Sequence, residues 1–262
     1  MRTHFTEMTD FQWQIMKENL PTQLFERKRS HDLRIIVNAI LWLLNTGAQW
    51  RNLDSKYPAW QSVYYYYRKF KLLHIDEHLN LNLVVMERFD FWEKHDIPSV
   101  VCIDSQTIKI VPFISEETGI DGNKKIKGRK RHVLTDTLGL VIAVIVTAAN
   151  VADVNIAKHL MNKCKSHLGR LKKVAVDAAY KGEFGQWVKE TFDAEVEIAS
   201  RPPTAKGFVP VKHRWVIERT FGCNTFYRRI NRDYEKSVNS SESWILWANI
   251  QTIISRLEYW QN

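Results

Sequence analysis

Two short apolar runs in this chain end the same way, and few folds accommodate both. Val100-Val101-Cys102-Ile103 leads into Asp104, and Val174-Ala175-Val176 leads into Asp177. Runs of that length, rich in β-branched residues, read as buried strands. An Asp within a strand opposes local propensity, and a carboxylate removed from water is costly unless it is paired or binds a cation. Taken singly, each Asp could cap the turn after its strand, a role Asp often fills. Taken together they call for strands that converge. Two neighbouring carboxylates repel each other until a divalent cation neutralises them.

The first hundred residues, by contrast, read as helical. In 31-HDLRIIVNAILWLL-44, Leu33, Ile36, Val37, Ile40, Leu41 and Leu44 recur at helical spacing, with Ser30 or Asp32 as N-cap and Gly47 as terminator. The stretch 59-AWQSVYYYYRKFKLL-73 predicts a second helix with Trp60, Val63, Tyr67 and Phe70 on one face. A third, over 76–95, is apolar nearly all round, and Pro98 marks a boundary near 96–99. Beyond the strand at 100–111, the segments 131–137 and 140–148 flank Leu138-Gly139 as a hairpin. Ile156, Leu160, Met161, Cys164 and Leu168 make a helical stripe over 152–168, with Asp153 as its cap. A strand (173–179), a helix (183–192) and a strand (195–200) follow. The segment 212–235 reads as one helix and 243–260 as an amphipathic closing helix. The order is that of a mixed sheet with helices on its faces. It divides the chain into an all-helical part, 1–97, and an α/β part, 98–262.

Charge narrows the partner. Lys and Arg outnumber Asp and Glu by 38 to 29, giving +9 and a pI near 9.4. Such an excess selects a polyanion, either nucleic acid or an anionic membrane surface. No segment approaches the roughly 18 apolar residues of a membrane span, and MRTHFTEMTD has no apolar signal region. Nucleic acid is therefore the expected partner. Cys102, Cys164 and Cys223 lie far apart without CxxC spacing, which fits a reducing cytoplasm and disfavours a disulfide framework. A zinc enzyme lacks its ligand spacings here.

Within 212-KHRWVIERTFGCNTFYRRINRDYE-235 a single carboxylate, Glu218, sits among Lys212, Arg214, Arg219, Arg228 and Arg229. A helical ion pair with Arg214, four residues earlier, would be the weaker base-before-acid order, contributing only a few tenths of a kcal/mol. An acid among phosphate-binding bases makes better sense if it holds a metal beside a phosphodiester. With Asp104 and Asp177 it forms a hard, all-oxygen set suited to Mg²⁺ or Mn²⁺. Arg214, Arg219, Arg228 and Arg229 would then steady the backbone. A second basic run, 124-KKIKGRKRH-132, supplies Lys124, Lys125, Lys127, Arg129, Lys130 and Arg131 directly before a strand of the sheet. Charge runs are usually solvated loops, but this one is placed to track a DNA backbone. Arg68 and Lys69 lie on the remainder of the 59–73 helix, which could enter a groove as in helix-turn-helix proteins. Trp42, Trp60 and Tyr67 are better read as core.

These segments together resemble the DDE transposases of short bacterial insertion sequences, specifically the insertion-sequence-five family. The resemblance runs through 33-LRIIVNAILWLLNTGAQWRNL-53, 57-YPAWQSVYYYYRKF-70, 102-CIDSQTIK-109, 119-GIDGNKKIKGRKRHVLTDTLGL-140, 176-VDAAYKG-182 and 206-KGFVPVKHRWVIERTFGCNTFYRRINRDYE-235. The long basic motif and RWVIERTF are its most specific parts. It implies an RNase H-like mixed five-stranded sheet, three antiparallel strands followed by two parallel ones, with flanking helices. It also implies that Asp104, Asp177 and Glu218 are the catalytic acids and hold two Mg²⁺ or Mn²⁺ ions, and that Tyr180 is the aromatic of the second motif. The wider superfamily's tyrosine and lysine near the third acid are replaced here by Val211 and Thr225.

The activity so implied is cleavage at the element's ends and transfer of the 3′-hydroxyls to target DNA. Its partners would be double-stranded DNA, both terminal inverted repeats and target, bound by a homodimer on paired ends. The setting would be the bacterial cytoplasm, in association with the nucleoid, and the part before residue 98 would bind the DNA ends. Two rivals keep the DNA partner: a transposase-derived binder that does not cut, and a nuclease that does not join. A haloacid-dehalogenase phosphohydrolase fits less well, because Gln106 stands where its second acid belongs.

Overall fold

A computed structural model describes residues 5–22, 24, 30–180, 182–199 and 214–259. Its centre is β1 (Val100–Lys109), whose inner residues Val101, Cys102 and Ile103 are buried as the apolar run predicts. On one side β1 pairs antiparallel with β3 (Ile126–Asp136). The far edge of β3 carries both the three-residue β2 (Gly119–Asp121) and β4 (Val141–Ala148). On its other side β1 pairs parallel with β5 (Lys173–Val176), which pairs parallel with β6 (Glu195–Ile198). The order β4-β3-β1-β5-β6, three antiparallel strands and then two parallel, is RNase H-like.

Among the described residues the sheet has six strands rather than five, because 119-GIDG opens a hairpin in place of a loop. β3 also begins five residues before the predicted position, so most of the basic run lies inside it. Gly128 permits this. A Cβ there would stand 1.9 Å from the carbonyl oxygen of Ile108 on β1.

Among the helices, α1 (Asp10–Asn19) is closed by a capping box between Thr9 and Gln12. In α2 (Leu33–Thr46) the Asp32 carboxylate accepts from Arg34 N at 2.9 Å, and Gly47 ends the helix at φ 70°, a left-handed cap that glycine adopts freely. α3 (Trp60–Leu72) buries Val63, Tyr67 and Phe70 as predicted. α4 (Ile75–Met86) stops well short of 95 and widens into a π turn over Glu87–Phe91. α5 (Asp153–Lys163) starts where predicted, but Asp153 does not cap it; its carboxylate lies 3.1 Å from Lys130 Nζ. α6 (Glu183–Phe192) matches its prediction.

The predicted single helix over 212–235 is instead α7 (Arg214–Asn224), followed by a 3₁₀ turn at Arg228–Ile230 and a bridge from Asp233 to Ile110. Gly222, Asn224 and Thr225 are poor helix formers and end it. α8 (Val238–Tyr259) begins five residues earlier than expected and is buried nearly all round, not amphipathic.

That burial has a simple cause. α8 packs against α1, α2, α3 and α4 as well as β4. One hydrophobic cluster runs from Met8 through Phe70 and Leu134 to Leu257. Residue 97 therefore marks a change of secondary structure and not a break in the core. A chain of buried amides crosses the same junction hydrogen-bonded. Asn80 Nδ2 donates to Val141 O at 2.8 Å, Asn249 Nδ2 to Asn80 Oδ1 at 2.6 Å, and Val141 N to Asn249 Oδ1 at 3.2 Å.

Candidate active site

The parallel register of β1 and β5 sets Cys102 opposite Ala175. The paired register ends there: Asp104 lies two residues past Cys102 on β1, and Asp177 directly follows Val176, the last residue of β5. Both acids line one small cavity, together with Cys102, Ala175, Ala199 and Ile217 of α7. Each is half-buried and held by its own backbone. Asp104 Oδ1 accepts from Ser105 N at 2.7 Å, and Asp177 Oδ1 accepts from Ala179 N at 2.9 Å. Asp177 thus caps the turn after its strand while also facing the cavity; the two readings of that residue coexist.

Glu218 is placed differently. Its neighbour Ile217 reaches the cavity, but Glu218 itself is exposed on α7. Among the described residues, no three His, Cys, Asp or Glu stand close enough to hold a metal ion together. The fold brings Asp104 and Asp177 together and leaves Glu218 outside the pair. Two hard carboxylates nonetheless suit Mg²⁺, which commonly takes one or two protein carboxylates and completes its shell with water and phosphate oxygens.

The basic residues divide sharply. Lys124, Lys125, Lys127, Arg68 and Arg228 are exposed and Lys69 is half-buried. Arg219 is exposed as well. Its guanidinium lies 4.8 Å from the Trp215 ring, beside a cavity of about 660 Å³ lined also by Trp92, Phe226 and Arg256. Arg129, Arg131 and Arg229, read from the sequence as DNA contacts, are corrected by their burial. Arg129 is fully enclosed and donates to the carbonyls of Glu116, Glu117, Glu235 and Lys236, with Asp233 Oδ2 at 3.3 Å. Arg131 donates to Ile230 O at 2.6 Å, and burial pushes its pKa down to about 10. Arg229 pairs with Glu235 at 2.6 Å, donates to Ala48 O and packs over Trp50 and Trp244.

Lys130 is mostly buried too, bonded to Val151 O and Asp153. Lys212, Val211 and the Arg214 side chain lie outside the described residues. Thr225 turns back on its own helix, its hydroxyl donating to Gly222 O at 2.6 Å.

His132 and Asp136 escape a reading of the sequence, whereas Tyr180 is expected there. His132 is buried on β3, and burial pushes its pKa down to about 4 against the pull of Asp153, 3.6 Å from Nδ1. Tyr180 packs on Phe184; burial first, then the charges of Asp153, Asp104 and Asp177, drive its hydroxyl pKa far above the ordinary value. Asp136, wholly buried, accepts from Leu138 N and Leu140 N and pairs with Arg88. The alternation of β3 is the available signal. Residues two apart share a face, so Lys130 and His132 point one way and Arg129, Arg131 and Val133 the other.

Comparison with known proteins agrees with this architecture. The family described as "Transposase DDE domain" matches residues 95–251, more than half of the chain, and "Putative transposase of IS4/5 family" matches residues 8–79. A Burkholderia cepacia protein, "Putative transposase for insertion sequence element IS402", is 33% identical over 116 residues. That match takes in 42% of this chain and 54% of the relative, about half of its length. Among solved structures, the catalytic domain of Mos1 mariner transposase superposes at a TM-score of 0.34 and 13% identity, over 70% of this chain and 90% of that one. The Mos1 strand transfer complex gives 0.33 and 12%, over 89% and 79%. Both superpositions are slight, and the family match is the decisive one. The chain belongs to the DDE-domain transposases of insertion sequences.

Proposed function

We propose that this chain cuts DNA at the ends of an insertion sequence and transfers the freed 3′-hydroxyls to target DNA. The observation that supports the reading is that Asp104 and Asp177, at the ends of the paired stretches of β1 and β5, line one cavity with Ile217 of α7. These two acids would hold divalent cations, with Glu218 joining them as the third ligand. Bound there, Mg²⁺ or Mn²⁺ would supply Lewis-acid activation of the attacking oxygen and stabilise the leaving one, the usual division between two ions.

The chain's own residues do the rest. Asp177, tied to Ala179 N, and Asp104, tied to Ser105 N, present carboxylates whose orientation is fixed before substrate arrives. Arg219 and Arg228, both exposed near Glu218 in sequence, would clamp phosphates. Lys124, Lys125 and Lys127 would track the duplex from the β2–β3 hairpin. The chemistry is in-line displacement at phosphorus. Water first breaks the phosphodiester and leaves a 3′-hydroxyl; that hydroxyl then attacks a target phosphodiester and displaces a target 3′-oxygen. No covalent protein–DNA bond forms. A homodimer would hold two ends at once, with the helices before residue 98 binding the terminal repeats.

The test is cleavage and joining of a labelled duplex carrying the element's own end, in Mg²⁺, Mn²⁺, Ca²⁺ or EDTA. Wild type is expected to nick and then join, and Asp104→Ala, Asp177→Ala and Glu218→Gln to do neither while binding DNA within a few-fold of wild type. Tight binding without cutting under any metal would make the chain a DNA-binding relic. Metal-dependent cutting without joined product would make it a nuclease.

A further inference from the structure

Glu218 stands outside the Asp104–Asp177 pair, so whatever sets the position of α7 decides how the third carboxylate arrives. α7 is seated on the β3–β4 turn. Thr220, nearly buried, shares its hydroxyl proton between Gly139 O at 2.9 Å and Val216 O at 3.2 Å. Arg219 Nη2 donates to Leu138 O at 2.8 Å. The approach is too close for a side chain at the glycine of the turn. At Gly139, whose φ is +81°, a Cβ would stand 2.8 Å from Thr220 Oγ1 and 3.3 Å from Arg219 Nη2.

The turn is itself clamped from below. Asp136 Oδ1 accepts from Leu138 N and Leu140 N, both at 2.9 Å, and Gly139 N donates to Asp136 O at 3.2 Å. Asp136 Oδ2 accepts from Arg88, whose Nε donates to His95 O at 3.0 Å. The links from the π turn through Asp136 to Thr220 are buried or half-buried hydrogen bonds, and only the Arg219–Leu138 bond is exposed.

We propose that Asp136, Gly139 and Thr220 are positioning residues: together they form a rigid seat that fixes where α7 presents Glu218 to the Asp104–Asp177 pair. This inference rests on the reading of the three acids as one site. A rigid seat matters because catalytic groups must be held to within about 0.5 Å, and a misplacement of about 1 Å can cost on the order of 100-fold in rate. Thr220→Val keeps the volume and removes the hydroxyl. Thr220→Ser keeps the hydroxyl. Gly139→Ala forces a Cβ to within 2.8 Å of Thr220 Oγ1.

The experiment measures Mn²⁺ binding to the protein–end-DNA complex from the spin-resonance signal of the free ion, and in parallel the Mn²⁺ dependence of cleavage. Asp104→Ala and Glu218→Gln serve as references, and thermal melting and DNA affinity are recorded for every variant. Thr220→Val and Gly139→Ala are expected to raise the half-saturating Mn²⁺ concentration about ten-fold, toward the Glu218→Gln value, with DNA affinity unchanged and Thr220→Ser close to wild type. If Glu218→Gln shifts Mn²⁺ binding but folded Thr220→Val does not, the seat has no positioning role and the inference falls alone. If Asp104→Ala and Glu218→Gln both bind Mn²⁺ as wild type does, the three-acid reading fails and takes this inference with it. Should Gly139→Ala not fold, Thr220→Val and Thr220→Ser decide the matter between them.

Discussion

Arg129→Met separates a structural arginine from a DNA-binding one. The substitution keeps the aliphatic stem and removes every donor. Four carbonyl oxygens, those of Glu116, Glu117, Glu235 and Lys236, lose a partner, and Asp233, 2% exposed, loses its counter-charge. Asp233 keeps two bonds, from Ser241 Oγ at 2.6 Å and Glu235 N at 2.9 Å, which limits the damage. Breaking a buried ion pair from one side costs about 3–5 kcal/mol, against a total stability of roughly 5–15 kcal/mol for a folded domain. For a chain of this size each kcal/mol moves Tm by about 2–4 °C, so a fall of roughly 6–20 °C follows. Thermal and urea unfolding measure it, with DNA affinity determined at a temperature where the variant is still folded. The expected result is a large loss of stability and unchanged DNA affinity with an unchanged salt slope. A variant that melts within about 2 °C of wild type and binds DNA about ten-fold more weakly would refute this reasoning, and would mean that Arg129 meets phosphate after all.

Changing Lys124, Lys125 and Lys127 together to Ala should do the opposite. Tm should hold while the slope of log affinity against log salt falls by about 0.9 for each phosphate that is no longer neutralised, measured by titration over a range of salt concentrations. His132 should make the fold acid-sensitive. Its folded pKa of about 4 lies below the unfolded value of about 6.5, so the unfolded chain takes up the proton first and stability drops as pH falls through that interval. The loss between pH 7 and 5 is about 2 kcal/mol. Urea midpoints across that range should flatten in His132→Asn, and an equally steep dependence in the variant would exclude His132 as the cause.

What the sequence makes legible is local. The α2 helix can be read whole because its stripe, its Asp32 cap and its Gly47 stop all lie within fifteen or so residues of one another. Asp104 and Asp177 can be associated because each strand announces its own acid, and the two strands, as parallel neighbours, bring both acids to one cavity. The basic run misleads because it reads as a line of charge. Its strand alternation sends Arg129 and Arg131 inward, toward carbonyls about a hundred residues away in sequence. No local pattern reports such partners. The same holds for α8, whose apolar residues on every side make sense only once four N-terminal helices surround it. Asp136 lies inside the long basic motif, yet its work, clamping a turn to Arg88, is a matter of tertiary structure.

The helices before residue 98 complete their core with α8, which begins about 140 residues later. During synthesis at roughly 5–20 residues per second, those helices wait about 7–30 s for the partner that buries them. Until then the faces they turn toward α8 stay uncovered. A chain truncated ahead of Val238 would lack the helix on which α1, α2, α3 and α4 pack, and is expected to be degraded rather than to persist as a shortened protein, which limited proteolysis would show.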